Sequence, residues 1–382
     1  MKGFFSAVGT AVWNYIREAD KLLAAAVLAL SAFGVVAISS ATMYDPELQK
    51  RSVLIQIFAI CIGFVIMIIL SKIDYDILSE LSPYIVAVSA ILLLYTAFFA
   101  PEVNGNKNWL YIGPVTVQPS EITKAAFALT MAAHLNKIGN NPIKLKNIIF
   151  LGLHLLCYLV PIVLQKDIGS ALVYLCSFAV LLFMSGLQYR YLIGGMIIVV
   201  AAVPLVWQFL STYQKARIIY GFQPELDPLG YGLQPIVSKI ALGSGQLTGL
   251  GYGNGIQTQN DLLPASNTDF IFSIIGEEFG FIGCVFVILA LVLIVFLIAR
   301  DSAKAAKAND YCGKYICITV AAIIAVQTMI NIGMCVGLSP VIGITLPFVS
   351  YGGSSVLSMF ICLGLVQRTR LRPEKALKFT RR

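Results

Sequence analysis

The chain carries little charge for a protein of its size. Only 12% of its 382 residues are charged, whereas 58% are hydrophobic. A soluble domain needs a much larger charged fraction to cover its surface in water. The composition therefore excludes an ordinary soluble protein and indicates that most of the molecular surface faces lipid.

Side chains that commonly bind metals or nucleotides are few or unsuitably spaced. The eight cysteines are scattered and lack the short paired spacing of zinc or redox sites. His134 and His154 lie on or beside apolar runs, without a third ligand at metal spacing. The glycine-rich run 249–255 lacks the surrounding strands and helices of a Rossmann site, and no P-loop is present. We therefore expect the cysteines to be small core residues, the two histidines to have packing or interface roles, and no nucleotide cofactor to bind.

Apolar runs long enough to cross a bilayer recur along the whole chain. A spanning helix needs about 20 apolar residues, and by this criterion we count roughly ten runs. The fourth and the last are the least hydrophobic. The predicted spans are 22–41, 53–71, 78–99, 119–136, 147–164, 169–186, 190–209, 270–299, 314–337 and 350–367. The fold class predicted from this pattern is all-α, a single polytopic membrane domain covering 1–382.

Positive charge is distributed unevenly between the two sets of loops. An even number of spans places both termini on one side, and that side holds most of the 27 Lys and Arg residues. Because such residues stay on the cytoplasmic face, both termini are predicted to be cytoplasmic. Residues 1–21 are then a cytoplasmic or interfacial segment. The basic tail 368–382 explains much of the net charge of +8 without nucleic acid as a partner.

Two segments on the opposite side are unusual, and function is expected there. They are 100–118, between the third and fourth spans, and 210–268, between the seventh and eighth. The second is too apolar for a disordered linker and too long for a turn, so we predict a large extracytoplasmic loop that folds back on the membrane.

Ionisable residues inside the spans are rare, and each costs about 2.5 to 3.5 kcal/mol on insertion scales. Glu121 and Lys124 are three residues apart, so they share a helical face and can pair. From spacing alone, a structural ion pair is slightly favoured over a pair that lines a substrate cavity. For Glu277 and Glu278, at least one carboxylate is expected to point into the bundle. A tight turn explains Asp167 as well as a functional role does.

Asp269 stands where the large loop meets the eighth span. One interpretation is a helix N-terminus, with Asn267 or Thr268 as the cap and Asp269 favourable in the first turn. The other is a functional carboxylate. The residues alone favour the first.

Four separated motifs, in order along the chain, bring in a resemblance to a known family. The last contains so many polar and glycine positions that a chance match in a membrane protein is improbable. The motifs are 104–109 with 113–114 and 118–124; 165–172; 227–230 through 268–272 and 276–278; and 347–355. On these motifs the chain resembles the SEDS family (shape, elongation, division and sporulation proteins), whose members include RodA, FtsW and SpoVE.

The resemblance implies a ten-span peptidoglycan glycosyltransferase that joins lipid II units outside the membrane and releases undecaprenyl diphosphate. It also implies that Asp269 is the catalytic residue and that Trp109 is functionally important. Negative charge develops on the departing diphosphate, and nearby cations would stabilise it. The candidates are Arg217, Lys215, Lys239 and Lys107. A divalent ion, Mg²⁺ or Mn²⁺, could share that task.

The remaining candidates for substrate binding come from the same motifs. With the resemblance in view, Glu121 and Lys124 are expected to line the floor of a cavity that admits the lipid carrier. The other members of this predicted set are Asp167, Glu277, Ser350 and Ser354.

The resemblance further implies a class B penicillin-binding protein as partner, among other elongation or division proteins, in the bacterial cytoplasmic membrane. The compact termini favour a RodA-like member. Two other functions stay open: a lipid II flippase, for which the intramembrane charges would suit a translocation path, and a non-catalytic scaffold for the transpeptidase.

Overall fold

The computed structural model describes residues 20–103, 105–113, 115–139 and 144–371. Within these ranges the regular secondary structure is helical apart from one small hairpin and an isolated bridge, which confirms the predicted all-α class. The hairpin pairs β1 (Leu110–Ile112) with β2 (Val115–Val117) in antiparallel register and was not predicted. The predicted N-terminal segment, except its last two residues, and most of the basic tail lie outside the described residues.

Among the described residues, ten long helices coincide with the ten apolar runs. They are α1 (Lys21–Ala41), α2 (Pro46–Leu70), α4 (Ser82–Phe99), α5 (Pro119–Ile138), α6 (Leu145–Leu164), α7 (Ile168–Met184), α8 (Tyr189–Phe209), α12 (Ile271–Lys307), α13 (Tyr311–Val336) and α14 (Gly353–Leu371). The shorter elements are α3 (Tyr75–Glu80), α9 (Thr212–Phe222), a 3₁₀ turn (Pro224–Leu226), α10 (Leu233–Ser244) and α11 (Ile256–Gln259).

Seven of the long helices, α1, α2, α4, α6, α8, α12 and α13, are long and apolar enough to cross a membrane. Helix α7 is apolar but shorter. Helices α5 and α14 correspond to the fourth and last predicted spans, the least hydrophobic ones. The chain is therefore a multi-pass membrane protein, and the total of ten spans stays a prediction.

Counting apolar residues does not predict where some helices begin or where one apolar run is interrupted. Helix α2 starts at Pro46, well before the predicted 53, because the Asp45 side chain accepts hydrogen bonds from the amides of Glu47 and Leu48. Proline at the first helical position suits this start. The third run is split into α3 and α4 at Leu81. Caps of this kind extend helices through polar residues that a hydropathy criterion rejects.

Contacts between distant helices define two ends of the bundle. At one, the Asp20 carboxylate caps α1 and pairs with Arg300 of α12 and Arg370 of α14. Burial of Asp20 acts to raise its pKa, but an amide hydrogen bond and the two arginines outweigh this effect, and the pKa is lowered. At the other end of α1, the Ser40 hydroxyl accepts a hydrogen bond from the amide of Gly253. We call the first the Asp20 end. We call the second the Asp269 end, because Asp269 lies just before the start of α12, whereas Arg300 lies near the other end of the same helix.

Helix α12 consists of two helical pieces joined at Gly280, whose φ of +65° is not helical. The glycine-rich segment 245–251 covers this break with backbone hydrogen bonds. The Leu250 amide donates to the Glu277 carbonyl at 3.0 Å, and the Phe281 amide donates to the Gln246 carbonyl at 2.9 Å. Broken helices are tolerated in membrane proteins only where such groups are satisfied inside the protein. The glycine-rich run therefore serves helix packing.

Close approach of this segment to α12 depends on Gly245. A Cβ atom there would lie 1.8 Å from the Gly276 carbonyl oxygen, whereas a Cβ at Gly243, two residues earlier, would meet nothing within 4 Å. We expect Gly245→Ala to lose about 1 to 3 kcal/mol or more of stability through overpacking. Gly243→Ala should be neutral or slightly stabilising, since alanine favours helix. Thermal unfolding of both purified variants checks this, and equal melting temperatures would contradict it.

Candidate functional site

The structure places the predicted catalytic residue beside one of the predicted cations. Asp269 lies in the segment that leads into α12, and Arg217 lies on α9. The Arg217 Nη2 and the Asp269 Oδ2 are 3.9 Å apart, and the two side chains are only 19% and 18% exposed. Asp269 belongs to the third motif and Arg217 to none of the four, yet the two side chains meet at the Asp269 end of the bundle.

The segment before α12 is not a helix cap. Helix α12 begins at Ile271 with Phe270 at the N-cap position and no capping side chain, so the interpretation with Asn267 or Thr268 as the cap is wrong. Instead, the Thr268 carbonyl accepts a hydrogen bond from the Ser350 hydroxyl at 2.6 Å. The Asn267 carbonyl accepts one from an amide of the same later loop. Contacts remote in sequence, rather than helix capping, fix this segment.

Burial sets the basicity of the candidate catalytic group. Burial raises the pKa of the Asp269 carboxyl, and the Arg217 guanidinium opposes this rise without cancelling it. Asp269 precedes the first turn of α12, so the predicted placement of this carboxylate in the first helical turn is wrong. A raised pKa makes the carboxylate a better proton acceptor.

A small, open cavity of about 20 Å³ adjoins Arg217. Its polar lining comes from segment 100–118, from the turn before α7 and from α9. We call segment 100–118 the first outer segment, after the side of the membrane predicted for it. The lining residues are Asn106, Lys166, Ile168, Tyr213, Gln214, Arg217, Ile218, Val341 and Ile342. The cavity therefore joins the two unusual loops that the sequence singled out.

Gln214 holds these elements together and was missed by the sequence analysis. Its amide nitrogen donates to the Asn106 Oδ1 at 3.0 Å and to the Lys166 carbonyl at 2.6 Å. With Ser211 it also forms a capping box at the start of α9, one turn before Arg217. The spacing of a serine three residues before a glutamine was a readable signal for this helix start.

Asp167 is fully engaged by protein donors. Its carboxylate accepts hydrogen bonds from the side chains of Asn108, Gln118, Ser120 and Ser170, and from the Ser170 amide. It caps α7 and is only 5% exposed. This geometry ties the first outer segment to α5 and α7, while substrate binding by Asp167 stays a prediction.

Lys107 and Trp109 lie on the same outer segment. The Lys107 amide donates to the Gln165 carbonyl at 2.9 Å, which attaches the segment to the turn before α7. Trp109 is half-buried immediately before β1. Neither side chain is among the residues that line the cavity beside Arg217.

Glu121 and Lys124 form a buried ion pair within α5. The Lys124 Nζ is 2.6 Å from the Glu121 Oε1, and their side chains are 1% and 8% exposed. The second Glu121 carboxylate oxygen is buried with no hydrogen-bond partner among the described residues. The predicted pairing is thus present, whereas the pair does not line the cavity beside Arg217.

Glu277, Glu278 and Lys239 have different surroundings. At least one of the two glutamate carboxylates was expected to point into the bundle, and both glutamates are buried. Glu277 accepts hydrogen bonds from the Gln257 amide at 2.7 Å and from the Thr258 amide and hydroxyl, so it stabilises α11. Lys239 on α10 is exposed and lies against Gly337. The described contacts do not bring these three to the cavity.

The two serines of the last motif hold loops in place. Ser350, besides binding the Thr268 carbonyl, accepts a hydrogen bond from the Leu346 amide at 2.8 Å. The Ser354 hydroxyl accepts one from the Gln118 amide at 3.2 Å. This motif therefore connects the Asp269 segment with the first outer segment, and a direct role in substrate binding stays a prediction.

The donor set around Asp269 bears on the expected divalent ion. In the described part of the chain, no group of three or more His, Cys, Asp or Glu residues could hold a metal ion. Mg²⁺ commonly binds one or two carboxylates together with water and substrate phosphates. Asp269 would fit such an ion only as a single ligand, with substrate diphosphate supplying others.

The fold and the site define a multi-pass membrane protein with a partly buried carboxylate and an arginine beside a cavity at one end of the bundle. The chain belongs to the FtsW, RodA and SpoVE family, whose model, described as "Cell cycle protein", matches residues 20–374. The predicted membership in the SEDS family is thereby confirmed.

Relatives of known name cover almost the whole chain. The Escherichia coli (strain K12) protein named peptidoglycan glycosyltransferase MrdB is 36% identical over 93% of this chain and 94% of its own length. The Treponema pallidum protein named peptidoglycan glycosyltransferase RodA is 30% identical over 94% and 98%. These relatives make the chain a RodA-like member.

Solved structures agree with the fold. A chain from a structure described as "Structural coordination of polymerization and crosslinking by a peptidoglycan synthase complex" matches with a TM-score of 0.77 and 28% identity, covering 92% of this chain and 97% of that one. The Thermus thermophilus rod shape determining protein RodA matches with a TM-score of 0.68 and 25% identity, covering 92% and 96%.

Proposed function

We propose that this chain polymerises lipid II into glycan strands, with Asp269 as the proton acceptor and Arg217 at the departing diphosphate. The chain is a peptidoglycan glycosyltransferase, as its family and the names of relatives aligned over more than nine tenths of its length indicate. The observation that carries the residue assignment is the pairing of Asp269 with Arg217 beside the cavity at one end of the bundle.

The chemistry that these two residues support is a displacement at an anomeric carbon. The hydroxyl oxygen of one sugar attacks that carbon, and the bond to the diphosphate oxygen breaks. The hydroxyl proton passes to the Asp269 carboxylate, because an alcohol is a poor nucleophile until its proton is removed. The bonding electrons leave with undecaprenyl diphosphate, whose growing negative charge Arg217 stabilises with its planar donors. A divalent ion bound to the diphosphate would supply further positive charge there.

Orientation in the bacterial cytoplasmic membrane follows from the charge pattern. We place both termini, and with them the Asp20 end, in the cytoplasm. Arg300, Lys304 and Arg370 at that end agree with the preference of positive residues for the cytoplasmic face. The Asp269 end, with residues 210–268, then faces outward.

A class B penicillin-binding protein is the proposed partner. Support comes from the similarity to a chain of a peptidoglycan synthase complex whose description joins polymerisation and crosslinking. Other elongation or division proteins could bind the same assembly. Co-purification with candidate partners from the same bacterium tests this.

A polymerisation assay separates this function from the two alternatives. Purified wild-type chain, alone and with the partner, receives labelled lipid II in vesicles, and glycan strands are expected. Movement of lipid II across the vesicles without lengthening would instead indicate a flippase. Binding of the partner with neither activity would indicate a scaffold.

The pH dependence of the rate should report Asp269. Because burial raises its pKa, the carboxylate loses its charge at a higher pH than an ordinary aspartate, so activity should fall on the acid side at a pH above 3.8. Arg217 lowers that pKa, so Arg217→Gln should move the acid limb to higher pH. Arg217→Lys, which keeps the charge, should move it less. Identical limbs in wild type and Arg217→Gln would contradict this linkage.

A further inference from the structure

Asn331 on α13 is a buried amide whose donors are both used at the Asp269 segment. Its Nδ2 donates to the Asp269 carbonyl at 2.8 Å and to the Ile344 carbonyl at 2.7 Å. A side-chain amide has two N–H donors, so this nitrogen has none left for other partners. Asn331 is 0% exposed, and its own oxygen has no hydrogen-bond partner among the described residues.

These two hydrogen bonds draw together the segment before α12 and the loop before α14. Gly343, the residue before Ile344, lies directly against the charged pair. A Cβ atom placed on Gly343 would be 3.4 Å from the Asp269 Oδ2 and 3.7 Å from an Arg217 nitrogen. The Asn331 amide therefore fixes the main chain on two sides of the carboxylate.

Asn331 is the main hydrogen-bond donor to the Asp269 carbonyl, while other contacts hold its neighbours. The Ser350 hydroxyl holds the Thr268 carbonyl, whereas the Asp269 carbonyl is held by Asn331, with the Cys335 sulfur 3.8 Å away. A thiol is a weak donor at that distance. The Phe270 amide, which belongs to the same peptide group, donates to the Ala265 carbonyl at 3.3 Å. Loss of the Asn331 amide would leave this peptide held on that side only, so that it could turn and carry the carboxylate away from Arg217.

We infer that Asn331 is a positioning residue of the glycosyltransferase: its amide holds the Asp269 main chain so that the carboxylate faces Arg217 and the acceptor hydroxyl. The inference rests on the proposed catalytic role of Asp269. It assigns to α13 a part in the reaction, although Asn331 lies outside the four motifs that carry the family resemblance.

Asn331→Leu tests this, because leucine has a similar size and no donor. Misplacement of a reacting group by about 1 Å can lower a rate roughly 100-fold, so we expect kcat to fall about 10- to 100-fold while KM for lipid II changes little. The acid limb of the pH profile should also shift, since burial and Arg217 set the pKa of Asp269. Gln327→Leu is the matched control: Gln327 lies one turn earlier on α13, is 1% exposed and, within the part of the chain that the structure describes, makes no hydrogen bond to the Asp269 segment. It should keep the wild-type profile.

Folding is checked by size-exclusion chromatography and thermal unfolding of each variant. If Asn331→Leu does not fold, Asn331→Ala, which lacks the amide donors and adds no charge beside Asp269, takes its place with the same expected loss of kcat. A folded variant with wild-type kcat and acid limb would overturn the inference and leave the role of Asp269 intact. Wild-type rates in Asp269→Asn would instead overturn the proposed function.

Discussion

Replacing Asp269 by asparagine should lower the rate of lipid II polymerisation by roughly 10²- to 10⁴-fold, the usual contribution of a general base. Asparagine has nearly the same shape but cannot accept the proton of the attacking hydroxyl. Labelled lipid II and gel analysis of the glycan strands give the rate. The class B penicillin-binding protein should still co-purify, because this change leaves the helix bundle intact.

Stability should not explain that loss. A carboxyl whose pKa is raised on folding binds its proton more tightly in the native state than in the unfolded state. The free energy of unfolding therefore decreases as the pH rises above the pKa that the carboxyl has in the unfolded chain. At neutral pH Asp269→Asn removes this penalty and should melt at the same temperature as wild type or higher. A variant that polymerises normally, or one that loses activity only by unfolding, would contradict the catalytic assignment.

Replacing Lys124 by methionine should destabilise the protein strongly. The change leaves the Glu121 carboxylate buried without its ion-pair partner, and breaking such a pair typically costs about 3 to 5 kcal/mol. The Glu121 carboxylate oxygen that already lacks a partner has no other donor in the described surroundings to compensate. Thermal unfolding in detergent or nanodiscs measures the loss.

The double replacement Glu121→Met with Lys124→Met is the control. Because a buried ion pair can be replaced by apolar residues of similar volume with little loss, it should recover most of the stability. If the double variant is stable but inactive, the pair also has a functional part, as predicted for a lipid-carrier cavity. A Lys124→Met protein as stable as wild type would contradict the structural account.

Helix positions were readable from the sequence because long apolar runs dominate this chain. The ten runs match the ten long helices, and the Glu121–Lys124 pair followed from helical spacing alone. Helix ends were less predictable, since capping by Asp45 extends α2 through polar residues. The break at Gly280 could not be predicted, since it lies inside a continuous apolar run. It is stabilised by hydrogen bonds from segment 245–251, which is distant from the break in sequence.

The site was predictable in its residues but not in its geometry. Motifs carried by the resemblance singled out Asp269, and phosphate chemistry singled out Arg217, but no local pattern indicated that they pair. The local pattern at Asp269 even favoured a helix cap, because asparagine and threonine before an aspartate are typical of helix starts. Contacts from Ser350 and Asn331, distant in sequence, prevail over that preference.

The account depends on the Asp269 end facing away from the cytoplasm, where lipid II is joined into strands. Leu229, 89% exposed in the loop between α9 and α10, and Lys304, 57% exposed at the Asp20 end, suit single cysteine substitutions. Intact cells are treated with a membrane-impermeant thiol reagent, and the wild type shows the background of native cysteines. Labelling of Leu229→Cys but not of Lys304→Cys is predicted. Labelling of Lys304→Cys alone would place the carboxylate in the cytosol and contradict the mechanism.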